Sequence, residues 1–175
     1  FNNIAIGARY AQKKYGIGKV LIVDWDIHHG NGTQEIFETD PSVFYFSTHQ
    51  WPLYPSTGKA EEIGKGRGIG TTMNCPIPPD ENSRIRVLEA FRQKLIPAME
   101  QFQPDLVMIS AGFDGHYSDP LGGFNLTDED FAELTRMVRQ LADTYANGRI
   151  ISALEGGYHL QGIATAAKAH VLALE

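Results

Sequence analysis

Short apolar runs recur along the chain, separated by stretches of helical spacing. Asn3 to Tyr15 places Ile4, Ala8, Ala11 and Tyr15 on one side of a helix, with basic residues late in the run and Gly16 as its C-cap. Lys19 to Trp25 follows as a strand. Its Val-Leu-Ile-Val run does not alternate, which is the pattern of a strand covered on both faces. Thr33 to Phe37 reads as a short helix, Ser42 to Ser47 as a second strand, and Thr71 to Pro76 as a short edge strand closed by Pro78-Pro79-Asp80. Ser83 caps a helix that turns Ile85, Leu88, Leu95 and Phe102 inward, with Pro97 kinking or restarting it. Leu106 to Ala111 and Arg149 to Leu154 complete the buried strands. Between them, Thr127 to Asp130 has the spacing of a capping box, with Asp in place of the usual Glu or Gln. Phe131, Leu134, Val138, Leu141 and Tyr145 then share one helical face, and Asn147-Gly148 ends it. Ala166 to Glu175 is helical again.

This alternation of helix and apolar strand predicts an α/β fold with a mostly parallel sheet and helices on both faces. In such sheets ligands bind beyond the carboxyl ends of the strands. Those ends are where the unusual residues sit. Val20 to Val23 climbs into Asp24-Trp25-Asp26-Ile27-His28-His29-Gly30-Asn31-Gly32, Leu106 to Ala111 runs into Gly112-Phe113-Asp114-Gly115-His116, and Arg149 to Leu154 ends in Glu155-Gly156-Gly157-Tyr158-His159. Separate pieces of sequence thus converge on one rim. The span from Thr48 to Gly70 is long for a connection in a compact domain, and its aromatic and apolar residues favour a packed, functional loop.

Composition narrows the function classes. The chain has 175 residues, enough for one domain, and a formal net charge of -6, which argues against a broad nucleic-acid patch. A lone Cys75 cannot close an internal disulfide, so a reducing compartment is expected. No apolar run has the length of a membrane span, and no signal-peptide pattern is visible. The expected location is cytoplasmic, or nuclear in a eukaryote. The chain opens on Phe1 inside a helical pattern and stops in another, so a piece of a longer protein is expected.

Alternation along a strand points Asp24, Asp26 and His28 one way and Trp25 and Ile27 the other. A single Asp-x-His more often caps a turn than binds an ion. Asp114 at a second strand end, set between glycines, tips the balance toward a metal held by Asp26, His28 and Asp114 with a position left for water. Asp24, deeper in the strand, is a fourth ligand, an orienting partner for a histidine, or a structural acid holding backbone amides. Tyr158 follows two glycines and is either a donor to a developing oxyanion or a core phenol after a tight turn. His29, His49, His116, His159 and His170 have weaker cases, and His29 is read as structural. The glycines from Gly64 to Gly70 do not fit a dinucleotide fingerprint, and no nucleophile elbow is present.

The segments Asp24-Trp25-Asp26-Ile27-His28-His29-Gly30-Asn31-Gly32-Thr33, Ser110 to Asp114 with Asp119-Pro120-Leu121-Gly122, and Leu154-Glu155-Gly156-Gly157-Tyr158 together resemble the zinc-dependent histone deacetylase superfamily, in its order and over essentially the whole chain. Asn31, Trp25 and the Leu-Glu-Gly-Gly-Tyr run resemble the class II and bacterial branches. The resemblance implies a three-layer arginase-like α/β fold, incomplete at both ends, forming a single catalytic domain over 1–175. It implies zinc on Asp26, His28 and Asp114, and Tyr158 as the hydroxyl that polarises an amide carbonyl. It further implies a structural K+ or Na+ ion near Asp24, Asp26, His28, Ser47 and Thr48, and a second cation near Phe37, Asp40, Val43 and Thr71. Leu53, Tyr54 and Gly156 fall where the family lines its acyl-lysine tunnel, although the family usually has Phe at the position of Tyr54. The family's tandem-histidine base lies just upstream of the segment matching Phe1-Asn2-Asn3, where Asp24 would pair with its first histidine.

The activity implied is metal-dependent hydrolysis of an acyl amide, releasing acetate from acetyl-lysine in a peptide or protein. Rival readings are a deacetylase of acetylated polyamines or other small amides, and an inactive module that only binds acyl-lysine. Two carboxylates and one imidazole form a hard ligand set, so Fe2+ is an alternative to Zn2+. Lacking the base, the 175-residue chain alone is expected to turn over little.

Overall fold

The computed structural model describes residues 1–175. Helix α1 (Asn3–Tyr15) is capped by the Asn2 side chain, which accepts from the Ala5 amide, and is ended by Gly16 in the left-handed region. Strand β1 (Val20–Asp24) follows, then α2 (Asn31–Phe37) and β2 (Val43–Gln50). A long loop with a 3-10 turn at Gly66–Gly68 leads to β3 (Thr72–Ile77). Helix α3 (Ser83–Ala90) passes through a π turn at Phe91–Leu95 into α4 (Ile96–Phe102). Strand β4 (Leu106–Ala111), helix α5 (Asp128–Tyr145), strand β5 (Ile150–Leu154) and helix α6 (Leu160–Leu174) complete the chain.

All strand pairs are parallel and the order is β3-β2-β1-β4-β5. The apolar runs explain this. Every residue of β1, β2 and β4 is buried, as a strand covered by helices on both faces must be. One face packs Ile4, Ala8, Val20, Ile22, Tyr45 and Met108 under α1. The other packs Leu21, Val23, Trp25, Phe91, Phe131 and Leu134 against α3 to α6. Two helical layers therefore sandwich the sheet. The register aligns Asp24 with Ser47 on one side and Ser110 on the other, so the polar ends of β1, β2 and β4 reach the same rim together.

The structure departs from the sequence reading at particular places. Ile85 does not point inward: it is exposed, and the buried Ser83 occupies the inner side at the helix start, its hydroxyl against the carbonyls of Asp80, Gly123 and Phe124. Ser83 is accordingly the first helical residue, and Asn82 holds the cap position. β5 is not a buried strand. It lies at the sheet edge with Ile151 and Leu154 exposed, Ile151 lining an open apolar cavity beside α1. β2 runs on through Thr48, His49 and Gln50, so the irregular loop starts at Trp51. The capping box forms in full. Thr127 accepts from the Asp130 amide, and Asp130, also bound by Arg84, accepts from the Thr127 amide.

Candidate active site

β1 ends at Asp24, and short carboxylate-to-amide bonds shape the turn beyond it. The Asp26 amide donates to Asp24 Oδ1 at 3.1 Å, and the His28 amide donates to Asp26 Oδ1 at 2.8 Å. This winding keeps the alternation. Trp25 and Ile27 sink into the core while Asp26 and His28 face a cavity of about 550 Å³ at the sheet rim. Asp114 arrives from the end of β4, fully buried, and its Oδ1 accepts from the Ile27 amide at 2.9 Å. Gly156 arrives from the end of β5 and donates its amide to Asp26 Oδ2 at 2.9 Å.

These elements bring one ligand atom each from Asp26, His28 and Asp114 within 4.8 Å of one another. The His28 Nδ1 lies 2.9 Å from Asp26 Oδ1 and 3.1 Å from Asp114 Oδ2. Asp114 Oδ2 is buried without a hydrogen-bond partner. The cradle leaves no room for side chains around it: a Cβ on Gly156 would stand 2.2 Å from Asp114 Oδ2, and one on Gly112 would stand 2.4 Å from Asp26 Oδ2. An orphaned carboxylate oxygen, a second carboxylate and an imidazole nitrogen, converging at the wall of an open cavity, fit a divalent cation with a free coordination position.

The electrostatics agree. The carboxylates of Asp114 and Asp26, both beside Nδ1, push the His28 imidazole up to about 10. Burial, with Asp26 beside it, raises Asp114 to about 6 despite its contact with His28. Burial and the Asp26 charge also raise Asp24, which accepts from the Tyr45 hydroxyl at 2.9 Å. Glu155, on the same cavity wall, is raised by burial and by Asp26. Crowded carboxylates raise one another's affinity for protons, and a cation among them would relieve that repulsion.

Tyr158 lines the same cavity, and its ring meets the His28 ring edge-on at 6.4 Å between centroids. Burial, then the charges of Asp114, Asp26 and Asp119, keep its phenol above the usual range, hence protonated and able to donate. Gly156 also lines the cavity. Leu53 and Tyr54 do not: Leu53 packs against the main core and Tyr54 is 79% exposed. Ser47, in register with Asp24, and Thr48 after it are both buried. The Ser47 hydroxyl is taken by His49 Nδ1 at 3.0 Å, whereas the Thr48 hydroxyl has no partner. Around the other cation position, the carbonyls of Phe37 and Asp40 already accept from the amides of Asp40 and Val43.

Residues to which the sequence assigns no chemical role complete the site. Asp119 is buried, and its Oδ2 accepts from the Tyr158 amide at 2.7 Å. Its sequence signal is the Asp119-Pro120-Leu121-Gly122 run, which carries the family resemblance without saying what the carboxylate does. The His29 and His49 rings meet at a tilt, 4.7 Å between centroids, and tie the long loop to the rim through Thr57 and the Gly58 carbonyl. Gly58 sits so close that a Cβ there would meet both rings.

Comparison with known proteins places this geometry. A model described as the histone deacetylase domain matches residues 1–174. The chain is 41% identical to "Histone deacetylase 14, chloroplastic" of Arabidopsis thaliana, over 94% of this chain and 39% of that protein. It is 43% identical to "Polyamine deacetylase HDAC10" of Homo sapiens, over 94% of this chain and 25% of that protein. The solved HDA15 HD domain superposes with a TM-score of 0.92 at 42% identity, covering 99% of this chain and 49% of that one. The histone deacetylase Clr3 gives 0.89 at 40% identity, covering 99% and 30%. The chain thus spans less than half the length of these relatives. No helix is long and apolar enough to cross a membrane, and the plant name shows that the family is not confined to the cytoplasm. The names are those of deacetylases, and none supports the reading of an inactive binding module. With the arginase-like α/β fold of these neighbours and a family match from end to end, the chain belongs to the histone deacetylase domain family.

Proposed function

We propose that the protein hydrolyses acetyl-lysine amides in peptides or proteins, with zinc held by Asp26, His28 and Asp114. The observation that carries this reading is the orphaned, fully buried Asp114 Oδ2, clustered with Asp26 and His28, which themselves line a cavity that Tyr158 also lines. A bound zinc ion supplies Lewis-acid polarisation of the carbonyl and a more acidic water. The chain's own residues do the rest. Gly112 and Gly156 leave the cradle open, and the backbone amides of Ile27 and Gly156 fix Asp114 Oδ1 and Asp26 Oδ2, orienting the two carboxylates that would hold the ion. The Tyr158 hydroxyl donates to the carbonyl oxygen as negative charge develops on it, the role of an oxyanion-hole donor.

The general base belongs to the tandem histidines of the resemblance. Phe1, Asn2 and Asn3 line the cavity, so a segment joined to Phe1 would enter there, close to Asp24. The 175-residue chain by itself is accordingly expected to show little turnover. A monovalent ion beside Asp24, Ser47 and Thr48, with a second near Phe37, Asp40, Val43 and Thr71, belongs to the same reading. Leu53 and Tyr54, which do not line the cavity, belong to the reading only through the family's acyl-lysine tunnel.

A second reading is deacetylation of an acetylated polyamine, favoured by the 43% identity to a protein named for that activity. The test is acetate release by the whole natural protein, zinc-loaded, from an acetyl-lysine peptide and from an acetylated diamine. Preference for the peptide supports the first reading, and preference for the diamine replaces it with the second. No acetate from either overturns both.

A further inference from the structure

Tyr158 follows two glycines, and nothing in the structure bonds its hydroxyl. Gly157 has φ 145, a conformation L side chains rarely adopt, and a Cβ there would meet Ile163 at 2.8 Å. Glycines before a working side chain give the backbone freedom, and freedom misplaces the group unless something else restrains it. The restraint comes from the loop after Asp114. Ser118 and Asp119, consecutive in that loop, grip Tyr158 and His159, consecutive in the other. Asp119 Oδ2 accepts from the Tyr158 amide at 2.7 Å, while its Oδ1 accepts from the Leu121 amide at 2.9 Å. The Ser118 hydroxyl lies 2.9 Å from His159 Nδ1 and 2.7 Å from His116 Nδ1. His159 Nδ1 in turn accepts from the Gly162 amide and caps α6. The Asp119 carboxylate is 7% exposed and makes no salt bridge, so both of its oxygens are committed to backbone amides. A buried carboxylate spent on two amides is a costly way to fold a loop, and one of those amides belongs to Tyr158.

We propose that Asp119 is a positioning residue for Tyr158: by holding the Tyr158 amide, it fixes the phenol over the Asp26–His28–Asp114 cluster, with the Ser118–His159 contact as the second half of the clasp. This rests on the deacetylase reading above. Asp119 makes no hydrogen bond to the cluster, and its grip on Tyr158 is through the backbone amide of the residue it holds.

The test uses the whole natural protein, loaded with zinc. In Asp119→Ala, kcat on an acetyl-lysine peptide is expected to fall on the order of 10²-fold, the cost of misplacing a reacting group by about 1 Å, with KM nearly unchanged and zinc content as in the parent. Asp119→Asn, which keeps one acceptor oxygen, is expected to recover part of the loss and also serves if the alanine variant does not fold. In a Tyr158→Phe background the Asp119→Asn effect is expected to vanish, because the phenol it positions is gone. A loss that persists there, or an unchanged kcat in Asp119→Ala, overturns the proposal. If the parent releases no acetate, the functional reading fails instead. Positioning is then judged by 19F resonances of fluorotyrosine-labelled protein: Asp119→Asn must shift or broaden the Tyr158 signal while sparing that of Tyr45, and unchanged spectra reject it.

Discussion

Asp114 Oδ2 lies 3.1 Å from His28 Nδ1, yet the single proton of that nitrogen is directed at Asp26 Oδ1, 2.9 Å away. One N–H cannot serve two carboxylates, and a metal ion can. Without metal, the two carboxylates hold the His28 proton up to about 10. The first prediction concerns that proton. Zinc requires the neutral imidazole, so its binding must expel the proton. Titration calorimetry in buffers of different ionisation enthalpy is expected to show about one proton released per zinc near pH 8, with affinity rising as pH approaches 10. Binding without proton release would sink the assignment of Nδ1 as the ligand atom.

The same shift sets how metal-free stability varies with pH. A histidine whose pKa is raised by folding stabilises fully below its unfolded value, near 6.5, and the contribution is lost as pH rises through about 10. The metal-free protein is therefore expected to weaken in urea between pH 6.5 and 10. His28→Gln should flatten that part of the profile. An identical slope in the variant would mean that His28 is not the group responsible.

Zinc removal tests the ligand set as a whole. A ligand that binds only the folded state stabilises by about 4 kcal/mol at a thousand-fold excess over its dissociation constant. Chelation is expected to lower the melting temperature of the parent and to leave Asp26→Ala and Asp114→Ala unmoved. Their zinc affinity should fall more than the roughly 10–100-fold typical of losing an outer partner. Undiminished zinc content in either variant would remove that residue from the site.

Much of this was legible in sequence because the signals were local. The runs in β1, β2 and β4 are apolar without alternation, and the polar clusters at their ends had to meet once the sheet was parallel. What was not legible depends on position in the finished fold. Ile150–Leu154 reads as a core strand, but whether an edge strand is covered depends on which elements pack over its faces: β3 at the other edge is mostly buried and β5 is not. Ile85 has the helical spacing of a core residue, but the carbonyls of Gly123 and Phe124, distant in sequence, draw Ser83 inward instead. Asp119 and His49 are ordinary polar residues in sequence. Their importance lies in partners about 39 and 9 residues away, Tyr158 and Gly58, which no periodicity announces.

Gly58 provides a prediction about the loop anchor. It has φ 88, and a Cβ would stand 2.5 Å from His29 Cδ2 and 2.6 Å from His49 Nε2. Neither ring can retreat easily: His29 is bonded to Thr57 and Gln34, and His49 to Ser47 and the Gly58 carbonyl. Backbone strain and overpacking together make Gly58→Ala costly, by about 2–5 kcal/mol. Urea unfolding should show it, and limited proteolysis should find the 51–71 loop cut sooner than in the parent. A loss below about 0.5 kcal/mol, the ordinary scale of surface changes, would show that the loop is not pinned there.

His170 offers a cleaner titration than His28, because no metal ligand touches it. It is buried against Trp25 and Phe113, and its two nitrogens meet the hydroxyls of Thr135 and Ser152 at 2.6 and 2.8 Å. Thr135 donates to the Phe131 carbonyl, so it accepts from His170 Nδ1, and Ser152 donates to Nε2. Every hydrogen bond is filled with the ring neutral, and burial lowers its pKa to about 4. A histidine shifted downward by folding contributes stability that is complete above its unfolded value, near 6.5, and lost as pH falls through about 4. A shift of this size corresponds to roughly 3 kcal/mol. His49, lowered to about 4 by burial and then by His29, adds a loss of the same sign. His170→Phe gives up the two hydroxyl bonds and should be less stable at neutral pH. Its disadvantage relative to the parent should shrink as pH falls from 6.5 to 4, because the variant no longer has a proton to take up on unfolding. A pH-independent gap between the two proteins would show that His170 does not titrate in this range.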